Sequence, residues 1–235
     1  MQISVVIPAY KEVSRLGASL ERILAYLAAR GGEHEVLVVD DGSPDDTAEV
    51  AAGFADRGVR LLRLEENQGK GAALRAGVLA SRGERVLLTD ADLSTPITDL
   101  DLLEPYLATH AVVIGSRAVA DSNVTLRQPI YRELMGKTFN KLVRLLAVRG
   151  LADTQCGFKL LAGDVARDLF ADLTVDRFAY DVELLWLARR RGHDIAEVGV
   201  TWVNSPQSRV SPVKDSLSML WDILRFRWRH RRGDR

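Results

Sequence analysis

Short apolar runs alternate with longer amphipathic stretches through the first half of the chain. The runs are β-branched and almost continuously apolar, which is typical of strands buried on both faces. The stretches between them repeat apolar residues at helical spacing, and glycines end the first two. We predict strands over 3–8, 35–43, 59–64, 85–92 and 111–117, with helices over 14–30, 46–57 and 99–109. Residues 66–83 are predicted to form a glycine-rich turn followed by a helix. This alternation predicts an α/β fold in which helices flank a mostly parallel central sheet.

The regular alternation ends after residue 117. We predict a loop over 118–130, helices over 131–149, 163–170 and 178–192, a last strand over 195–203 and a helical tail from about 212. The helix at 131–149 and the tail are both basic and amphipathic. With 235 residues and no internal repeat, the chain is interpreted as a single domain that ends in this tail.

Composition and charge are those of an ordinary globular protein. Hydrophobic residues make up 47% of the chain and charged residues 27%, which argues against disorder. The formal net charge is zero, so nothing favours nucleic acid as a partner, although residues 225–235 contain six arginines. The single cysteine, Cys156, excludes an intrachain disulfide and is expected to be a small buried residue. No apolar stretch reaches the ~18–20 residues of a membrane span, and no signal peptide is visible, so we expect a soluble or peripheral protein.

Carboxylates follow three of the predicted strands. Asp90 and Asp92 end the fourth strand, Asp40 and Asp41 end the second, and Glu12 lies in the turn after the first. In an extended segment Asp90 and Asp92 project to the same side, and open α/β sheets bind ligands at the carboxyl ends of their strands. Mg²⁺ and Mn²⁺ favour one or two carboxylates together with phosphate oxygens and water. The pattern therefore predicts a divalent cation with a phosphate ligand, the alternative being ordinary turn residues or helix caps.

Two common phosphate-binding motifs are absent. Gly69-Lys70 is followed by Gly71, so GxxxxGK[ST] is not matched, and no GxGxxG follows the first strand. These absences exclude a P-loop NTPase and a Rossmann dehydrogenase.

Several motifs together resemble a known family. The segments VVIPAYKE, VVDDGSPDDT, ENQGKGAALRAG, TDADLSTP and IGSRA resemble, in this order and spacing, family-2 inverting glycosyltransferases of the GT-A fold. The later segments DTQCGFKLL, FAYDVELL and SRVSPVKDSLSML are similar to those of dolichyl-phosphate β-glucosyltransferases, relatives of the polyprenyl-phosphate mannose synthases. The resemblance implies a nucleotide-sugar-binding half at 1–117, an acceptor half at 118–210 and a basic amphipathic tail at 211–235.

The resemblance also implies roles for residues in the donor site. Asp41 would accept a hydrogen bond from the nucleotide base, and Asp92 would bind the metal with Asp90 contacting the ribose or the metal. The glycine-rich turn would let the backbone approach the nucleotide, and a later loop would close on the pyrophosphate. The remaining donor-site residues implied are Pro8, Tyr10, Glu12, Lys70, Arg209, Ser211 and Lys214.

The acceptor decides what chemistry the protein must supply. A lipid phosphate is already an anion and needs positive charge rather than a general base. Arg117, at the end of the fifth predicted strand, is the prime candidate for that charge, with Arg127 and Arg132 as further candidates. Catalysis would then be positioning by Arg117 and metal stabilisation at Asp92. A sugar hydroxyl acceptor would instead require a base, for which Asp153 and Asp181 are candidates. For Asp181 and Glu183, a structural polar network is the alternative.

The implied reaction transfers a hexose, most directly glucose from UDP-glucose, to a polyprenyl or dolichyl phosphate, with inversion to a β-linked product. A GDP-mannose-dependent polyprenyl-phosphate mannose synthase and a family-2 transferase to a sugar hydroxyl are the enzymatic alternatives. A sugar-1-phosphate nucleotidyltransferase and a non-catalytic nucleotide-sugar binder are alternatives of a different class. The implied cofactor is Mg²⁺ or Mn²⁺.

The basic helices predict contact with a membrane surface, the alternatives for the tail being a partner protein or weak binding of RNA. In the helix over 213–232, one apolar stripe comprises residues 219, 223 and 226, and another comprises 217, 220, 221, 224 and 228. One stripe is expected to pack on the domain and leave the other, with its tryptophans and neighbouring arginines, for anionic lipid. Eukaryotic relatives usually carry an N-terminal membrane helix, which is not seen here. The expected location is therefore cytoplasmic and peripheral, on the inner face of the membrane.

Overall fold

A seven-stranded sheet with helices on both faces forms the centre of the molecule. The computed structural model describes residues 1–124, 148, 150–203 and 212–232, with side chains in the last range from 218 to 230. The strands are β1 (Ile3–Ala9), β2 (His34–Asp40), β3 (Val59–Arg63), β4 (Arg85–Leu88), β5 (Val112–Ser116), β6 (Asn123–Val124), β7 (Lys159–Ala162), β8 (Ile195–Gly199) and β9 (Thr201–Trp202). The helices are α1 (Leu16–Arg30), α2 (Thr47–Ala52), α3 (Lys70–Ala80), α4 (Leu100–Leu103), α5 (Gly163–Ala171), α6 (Tyr180–Arg190) and α7 (Pro212–Arg232). The predicted α/β architecture is confirmed.

The strand order of the large sheet is β3-β2-β1-β4-β7-β5-β8. Every neighbouring pair in it is parallel except the two pairs made by β7, which runs antiparallel to both β4 and β5. The carboxyl ends of β1, β2, β4 and β5 therefore lie at one edge. The strand order reverses at β1, which lies between β2 and β4, and open α/β sheets bind ligands at such a switch point.

The strand β7 is the main feature that the apolar pattern did not predict. It is four residues long, and such a short apolar run does not distinguish a strand from a buried helix. Its register pairs Leu160 with Leu87 on one side and with Val113 on the other. These partners lie far away in sequence, so only the assembled sheet makes this segment a strand.

Several predicted boundaries differ from the structure. The strand predicted over 85–92 ends at Leu88, and the strand predicted over 195–203 is divided into β8 and β9. The chain leaves the large sheet after Gly199, where a Cβ would lie 2.7 Å from the Asp121 carbonyl carbon. Next to it, the predicted loop over 118–130 contains β6, which pairs in parallel with β9.

Two predicted helices are also interrupted, and one lies outside the described residues. The helix predicted over 46–57 ends at Ala52, and a 3-10 turn, Ala55–Arg57, follows. The helix predicted over 99–109 becomes a 3-10 helix at Glu104–Ala108, because Pro105 lacks the N–H that an α-helix needs. The helix predicted over 131–149 falls almost entirely on residues that are not described.

Alternate side chains of the sheet supply two apolar cores. Val6 of β1 and Leu37 of β2 pack on one face with residues of α3, α5, α6 and α7. On the opposite face, Val5 and Ile7 pack with residues of α1 and α4. The sheet is thus covered on both sides, as the continuously apolar strands require.

Helix α7 packs one apolar stripe on the domain and exposes another, as predicted. Met219, Ile223 and Phe226 are buried, whereas Trp221 and Leu224 are 67% and 51% exposed and Trp228 is 54% exposed. Among the described residues, no helix combines the length and apolarity needed to cross a bilayer. With one apolar stripe buried and the other exposed, α7 is an amphipathic helix.

We expect Phe226→Ala to lower the free energy of unfolding by about 3–5 kcal/mol, the usual cost of truncating a buried phenylalanine. Phe226 is 1% exposed, and its ring centroid lies 5.6 Å from that of Trp186. Leu224→Ala, on the exposed stripe of the same helix, should cost within about 0.5 kcal/mol. Urea unfolding of both variants measures the difference, and equal effects would contradict the packing of α7 described here.

Candidate active site

The turns after β1 and β2 are joined at the carboxyl edge of the sheet. The Asp41 N–H donates to the Ala9 carbonyl at 2.8 Å. The Lys11 N–H donates to Ser43 Oγ at 2.9 Å, and the Glu12 N–H donates to Thr47 Oγ1 at 2.8 Å. The hydroxyls of the DDGSPDDT segment therefore hold the PAYKE turn. This arrangement fixes Glu12 close to the end of the second strand.

Pro8 and Tyr10 stand at the same edge. Pro8 is the penultimate residue of β1 and pairs with Val39 of β2. Tyr10 follows the strand and is partly exposed, with Lys11 Nζ 5.3 Å from its ring centroid. Lys11 itself has a φ of 56°, a left-handed conformation that turns the chain sharply. Tyr10 thus presents an aromatic surface beside the turn.

Asp41 holds the glycine-rich turn. Its Oδ1 accepts from the Gln68 N–H at 2.8 Å, and its Oδ2 accepts from the Gly69 N–H at 2.9 Å and from Asn67 Nδ2 at 2.8 Å. Burial raises the pKa of Asp41, and the neighbouring carboxylate of Asp40 adds to this effect against the opposing backbone hydrogen bonds. Asp41, which the resemblance assigns to binding the nucleotide base, therefore also fixes the conformation of the glycine-rich turn.

Asp90 is paired with the lysine of that turn. Lys70 Nζ lies 2.6 Å from Asp90 Oδ1. Burial alone raises the pKa of Asp90, but Lys70, with Lys159 and Arg117 behind it, more than offsets burial and lowers the pKa overall. On its other side the carboxylate packs against Gly157, where an added Cβ would lie 2.2 Å from Asp90 Oδ2. Lys70 and Asp90 thus connect the ends of two strands.

The extended geometry predicted for Asp90 and Asp92 is wrong. Because β4 ends at Leu88, both carboxylates lie in a turn that the Leu93 N–H closes by donating to the Asp90 carbonyl at 3.1 Å. Leu93 has a φ of 46° there. The two side chains consequently contact different cations. Asp90 pairs with Lys70, whereas Asp92 Oδ2 lies 3.4 Å from Arg15 Nη1.

Arg15 is a site residue that the sequence analysis missed. Its guanidinium contacts both carboxylate oxygens of Glu12, with Nη2 2.7 Å from Oε1, and also reaches Asp92. The pairing with Glu12, and then with Asp92, raises the pKa of Arg15 despite partial burial. Its position three residues after Glu12, just before α1, is the signal that could have identified it. Arg15 joins the turn after β1 to the turn after β4.

Arg117, the candidate acceptor residue, is paired with Asp153. Its Nε and Nη2 donate to the two carboxylate oxygens of Asp153 at 2.6 and 2.9 Å, and its backbone N–H donates to the same carboxylate at 3.1 Å. The guanidinium also lies 5.4 Å from the ring centroid of Trp202. Burial raises the pKa of Asp153, but Arg117 outweighs burial and the pKa is lowered overall. A carboxylate held in this way is a weak proton acceptor.

The second candidate base is also engaged. Lys159 is fully buried, and its ammonium contacts Asp181 and the Cys156 carbonyl. Glu183 is buried as well and accepts from the backbone of Thr174. The structural polar network considered as the alternative for Asp181 and Glu183 is therefore present. Cys156 is buried, as predicted, and burial raises the pKa of its thiol.

The carboxylates at this edge are suitable ligands for a divalent cation that is also coordinated by phosphate oxygens. Among the described residues, no group of three His, Cys, Asp or Glu side chains is arranged to hold a metal ion. Asp92 retains 19% side-chain exposure, and its contact to Arg15 is long. One or two carboxylates with phosphate oxygens and water is the coordination that Mg²⁺ takes in phosphate sites. The residues thus suit a cation that binds together with a diphosphate.

The structure brings seven of the predicted site residues to one edge: Pro8, Tyr10, Glu12, Asp41, Lys70, Asp90 and Asp92. Arg117 follows β5 at the same edge. Arg127, Arg132, Arg209 and Ser211 lie outside the described residues, and only the backbone of Lys214 is described.

Solved structures with this fold are GT-A glycosyltransferases. Glucosyl-3-phosphoglycerate synthase from Mycobacterium tuberculosis, solved with Mn²⁺, UDP-glucose and glycerol 3-phosphate, superposes with a TM-score of 0.68 over 94% of this chain and 79% of its own, at 22% identity. Mannosyl-3-phosphoglycerate synthase from Rubrobacter xylanophilus gives a TM-score of 0.69 over 100% of this chain and 75% of its own, also at 22% identity. The fold class is therefore the GT-A class.

Sequence comparison identifies the family within that class. The family model described as Glycosyl transferase family 2 matches residues 4–170. Dolichyl-phosphate beta-glucosyltransferase of Homo sapiens is 38% identical over 99% of this chain and 76% of its own length. The enzyme of the same name from Drosophila melanogaster is 39% identical over 95% and 74%. The chain belongs to glycosyltransferase family 2, and the resemblance seen in its motifs is confirmed.

We expect Asp41→Asn to loosen the glycine-rich turn, because an amide cannot accept all the hydrogen bonds that the carboxylate accepts. Loss of one buried bond costs about 1–3 kcal/mol. Amide exchange at Gln68 and Gly69 should therefore become roughly ten- to a hundred-fold faster. Asp46→Asn, at an exposed residue with no side-chain cap bond, is the matched control. Unchanged exchange at both amides in Asp41→Asn would contradict the holding role.

Proposed function

We propose that the protein transfers glucose from UDP-glucose to a dolichyl or polyprenyl phosphate, with inversion to a β-linked product. The observation that carries this proposal is the near-full-length similarity to dolichyl-phosphate beta-glucosyltransferases, at 35–39% identity in four organisms. The cluster of carboxylates and cations at the switch point of the sheet supports it, because this edge suits a charged nucleotide-sugar.

The donor site is assigned to the turns after β1, β2 and β4 together with the glycine-rich turn. Asp41 accepts from the base N–H with the lone pair that the turn leaves unused, and Pro8 and Tyr10 line the base pocket. Glu12 and Lys70 contact the nucleotide. The loop with Arg209, Ser211 and Lys214 closes on the pyrophosphate, where a guanidinium gives two parallel hydrogen bonds.

Asp92 is the residue assigned to hold Mg²⁺ or Mn²⁺, with Asp90 contacting the ribose or the same ion. The cation, when bound, would neutralise charge on the departing diphosphate. Asp92 suits this role because its contact to a cationic side chain, Arg15, is long, at 3.4 Å, while its Oδ1 is held in place by the Ser94 N–H at 3.0 Å. Asp90 suits the ribose better, because Lys70 and Gly157 already confine its carboxylate.

The acceptor phosphate is assigned to Arg117, with Arg127 and Arg132 as further contacts. Both carboxylates that could act as a general base are engaged in ion pairs, which favours a phosphate acceptor over a hydroxyl acceptor. Asp153 is bound through both oxygens to Arg117, and Asp181 is bound to the buried Lys159. A phosphate acceptor is already an anion and needs no proton acceptor, so these ion pairs do not impede the reaction. Holding the acceptor phosphate and the sugar diphosphate in the reactive geometry would then account for much of the rate enhancement.

The test is a donor panel measured by titration calorimetry. With Mn²⁺ present, UDP-glucose should bind and GDP-mannose should not. Asp92→Ala should abolish metal-dependent binding while leaving the fold intact, because Asp92 lies in a turn. Asp101→Ala removes a 62% exposed carboxylate on α4 and should bind as the wild type does. Preference for GDP-mannose, or undiminished turnover of Asp92→Ala in excess EDTA, would overturn the assignment.

We further assign membrane-surface contact to α7. Its exposed stripe carries Trp221, Leu224 and Trp228, and Arg225 and Arg229 are exposed beside it. Indole rings and arginines together suit the interface of an anionic bilayer. A polyprenyl acceptor resides in such a bilayer, so contact there brings the site to its substrate. The proposed location is peripheral, on the inner face of the membrane.

The double variant Trp221→Ala/Trp228→Ala should bind anionic vesicles more weakly than the wild type while keeping its affinity for UDP. Removal of residues 225–235 is a poorer test, because it also deletes the buried Phe226. Leu102→Ala/Tyr106→Ala, at exposed apolar residues elsewhere, is the control. Co-sedimentation with phosphatidylcholine vesicles, with and without phosphatidylglycerol, at low and high salt measures the effect. Equal binding to both vesicle types would refute the assignment.

A further inference from the structure

Glu183 of α6 is a buried carboxylate with partners on two different parts of the chain. Its Oε2 accepts from the N–H groups of Thr174 at 2.9 Å and Val175 at 2.7 Å, and its Oε1 accepts from Thr174 Oγ1 at 2.7 Å. From the other side, His230 Nε2 of α7 lies 2.8 Å from Oε1. Because an ionised carboxylate only accepts, the ring donates from Nε2. Buried charge is costly unless such partners are present.

The segment that Glu183 holds lies directly against the glycine-rich turn. An added Cβ on Gly69 would lie 2.5 Å from the Asp176 carbonyl oxygen, and one on Gly71 would lie 2.4 Å from the Val175 carbonyl oxygen. The Ala72 N–H donates to the same Asp176 carbonyl at 3.0 Å. No space separates the two segments. A shift of the backbone at 174–176 must therefore move the turn.

A second contact ties the same two segments together. Arg75 of α3 donates from Nη1 to the Leu173 carbonyl at 2.9 Å, and its Nη2 lies 2.8 Å from Asp176 Oδ1. The segment 173–176 is thus held by α3 at both ends and by Glu183 in its middle. Asp41 holds the glycine-rich turn from the opposite side. The position of the turn depends on both supports.

His230 is itself held by aromatic neighbours. Its ring centroid lies 5.3 Å from that of Trp186 on α6 and 6.4 Å from that of Phe226 on α7. Phe226 is buried, so the docking of α7 determines where the imidazole stands. Packing therefore orients the His230 ring toward Glu183, so forming the hydrogen bond between them costs little additional side-chain entropy.

We propose that His230 is a positioning residue for the donor site, acting through Glu183 and the segment 174–176 on the glycine-rich turn. This inference rests on the proposed role of that turn in nucleotide binding. It assigns to α7 a second task beside its exposed stripe. The inner side of the helix supports the donor site, while the outer side is left for the lipid surface.

Three variants separate positioning from simple packing. His230→Ala removes the donor to Glu183 but keeps Phe226 and Ile223 in the core. His230→Gln restores an N–H donor without the aromatic ring. Ser218→Ala, at an exposed residue of the same helix, is the control. UDP affinity by calorimetry, Tm, and amide exchange over residues 69–72 are measured for each.

We expect His230→Ala to weaken UDP binding about five-fold or more, the lower range of coupling between sites. Exchange at 69–72 should become faster, and His230→Gln should recover most of both effects. A lower Tm with unchanged UDP affinity and unchanged exchange would show a purely structural role and overturn the proposal, as would a His230→Gln variant no better than His230→Ala. If the wild type does not bind UDP, the proposed function fails, whereas the exchange measurement still decides the positioning role.

Discussion

Negative charge gathered at one edge of the sheet must be balanced by cations close to it, and this requirement shapes the site. Parallel strands bring their carboxyl ends together, and carboxylates follow β1, β2 and β4 there. Two carboxylates a few ångströms apart repel strongly wherever water is scarce. In the described residues Arg15 and Lys70 come from the starts of α1 and α3 to pair with Asp92 and Asp90. The cations that neutralise these carboxylates therefore lie where the turns after the strands lead into the helices.

The same balance explains how the site can accept charged ligands. The proposed diphosphate and divalent cation would arrive as a nearly neutral pair, so the net charge of the edge would change little on binding. The contact between Arg15 and Asp92 is long and partly exposed, which leaves Asp92 accessible. The Arg117–Asp153 pair is shorter and makes two parallel hydrogen bonds. The Arg15–Asp92 contact, on the proposed donor side, is thus easier to rearrange than the Arg117–Asp153 pair on the proposed acceptor side.

Buried polar groups away from this edge link it to the rest of the fold. Glu183 lies on α6, far from the strand ends in sequence, yet its hydrogen bonds reach the segment that supports the glycine-rich turn. His230 of α7 contacts the same carboxylate at 2.8 Å, so this buried group also joins α6 to α7. Helix α7 thereby has two distinct sides, one committed to the domain and one carrying exposed tryptophans.

The sequence by itself determined the α/β class, the order of most strands and helices, and the location of the carboxylates at strand ends. It did so because continuous apolar runs, helical periodicity and strand-end motifs are local signals. Tertiary structure alone decided that 159–162 is a strand between β4 and β5. It alone turned Asp90 and Asp92 toward different cations, and it selected Arg15, Asp153 and Glu183 as partners. Strand insertion and the pairings of Arg15 with Asp92 and of Arg117 with Asp153 depend on residues far apart in the chain, so no local pattern encodes them.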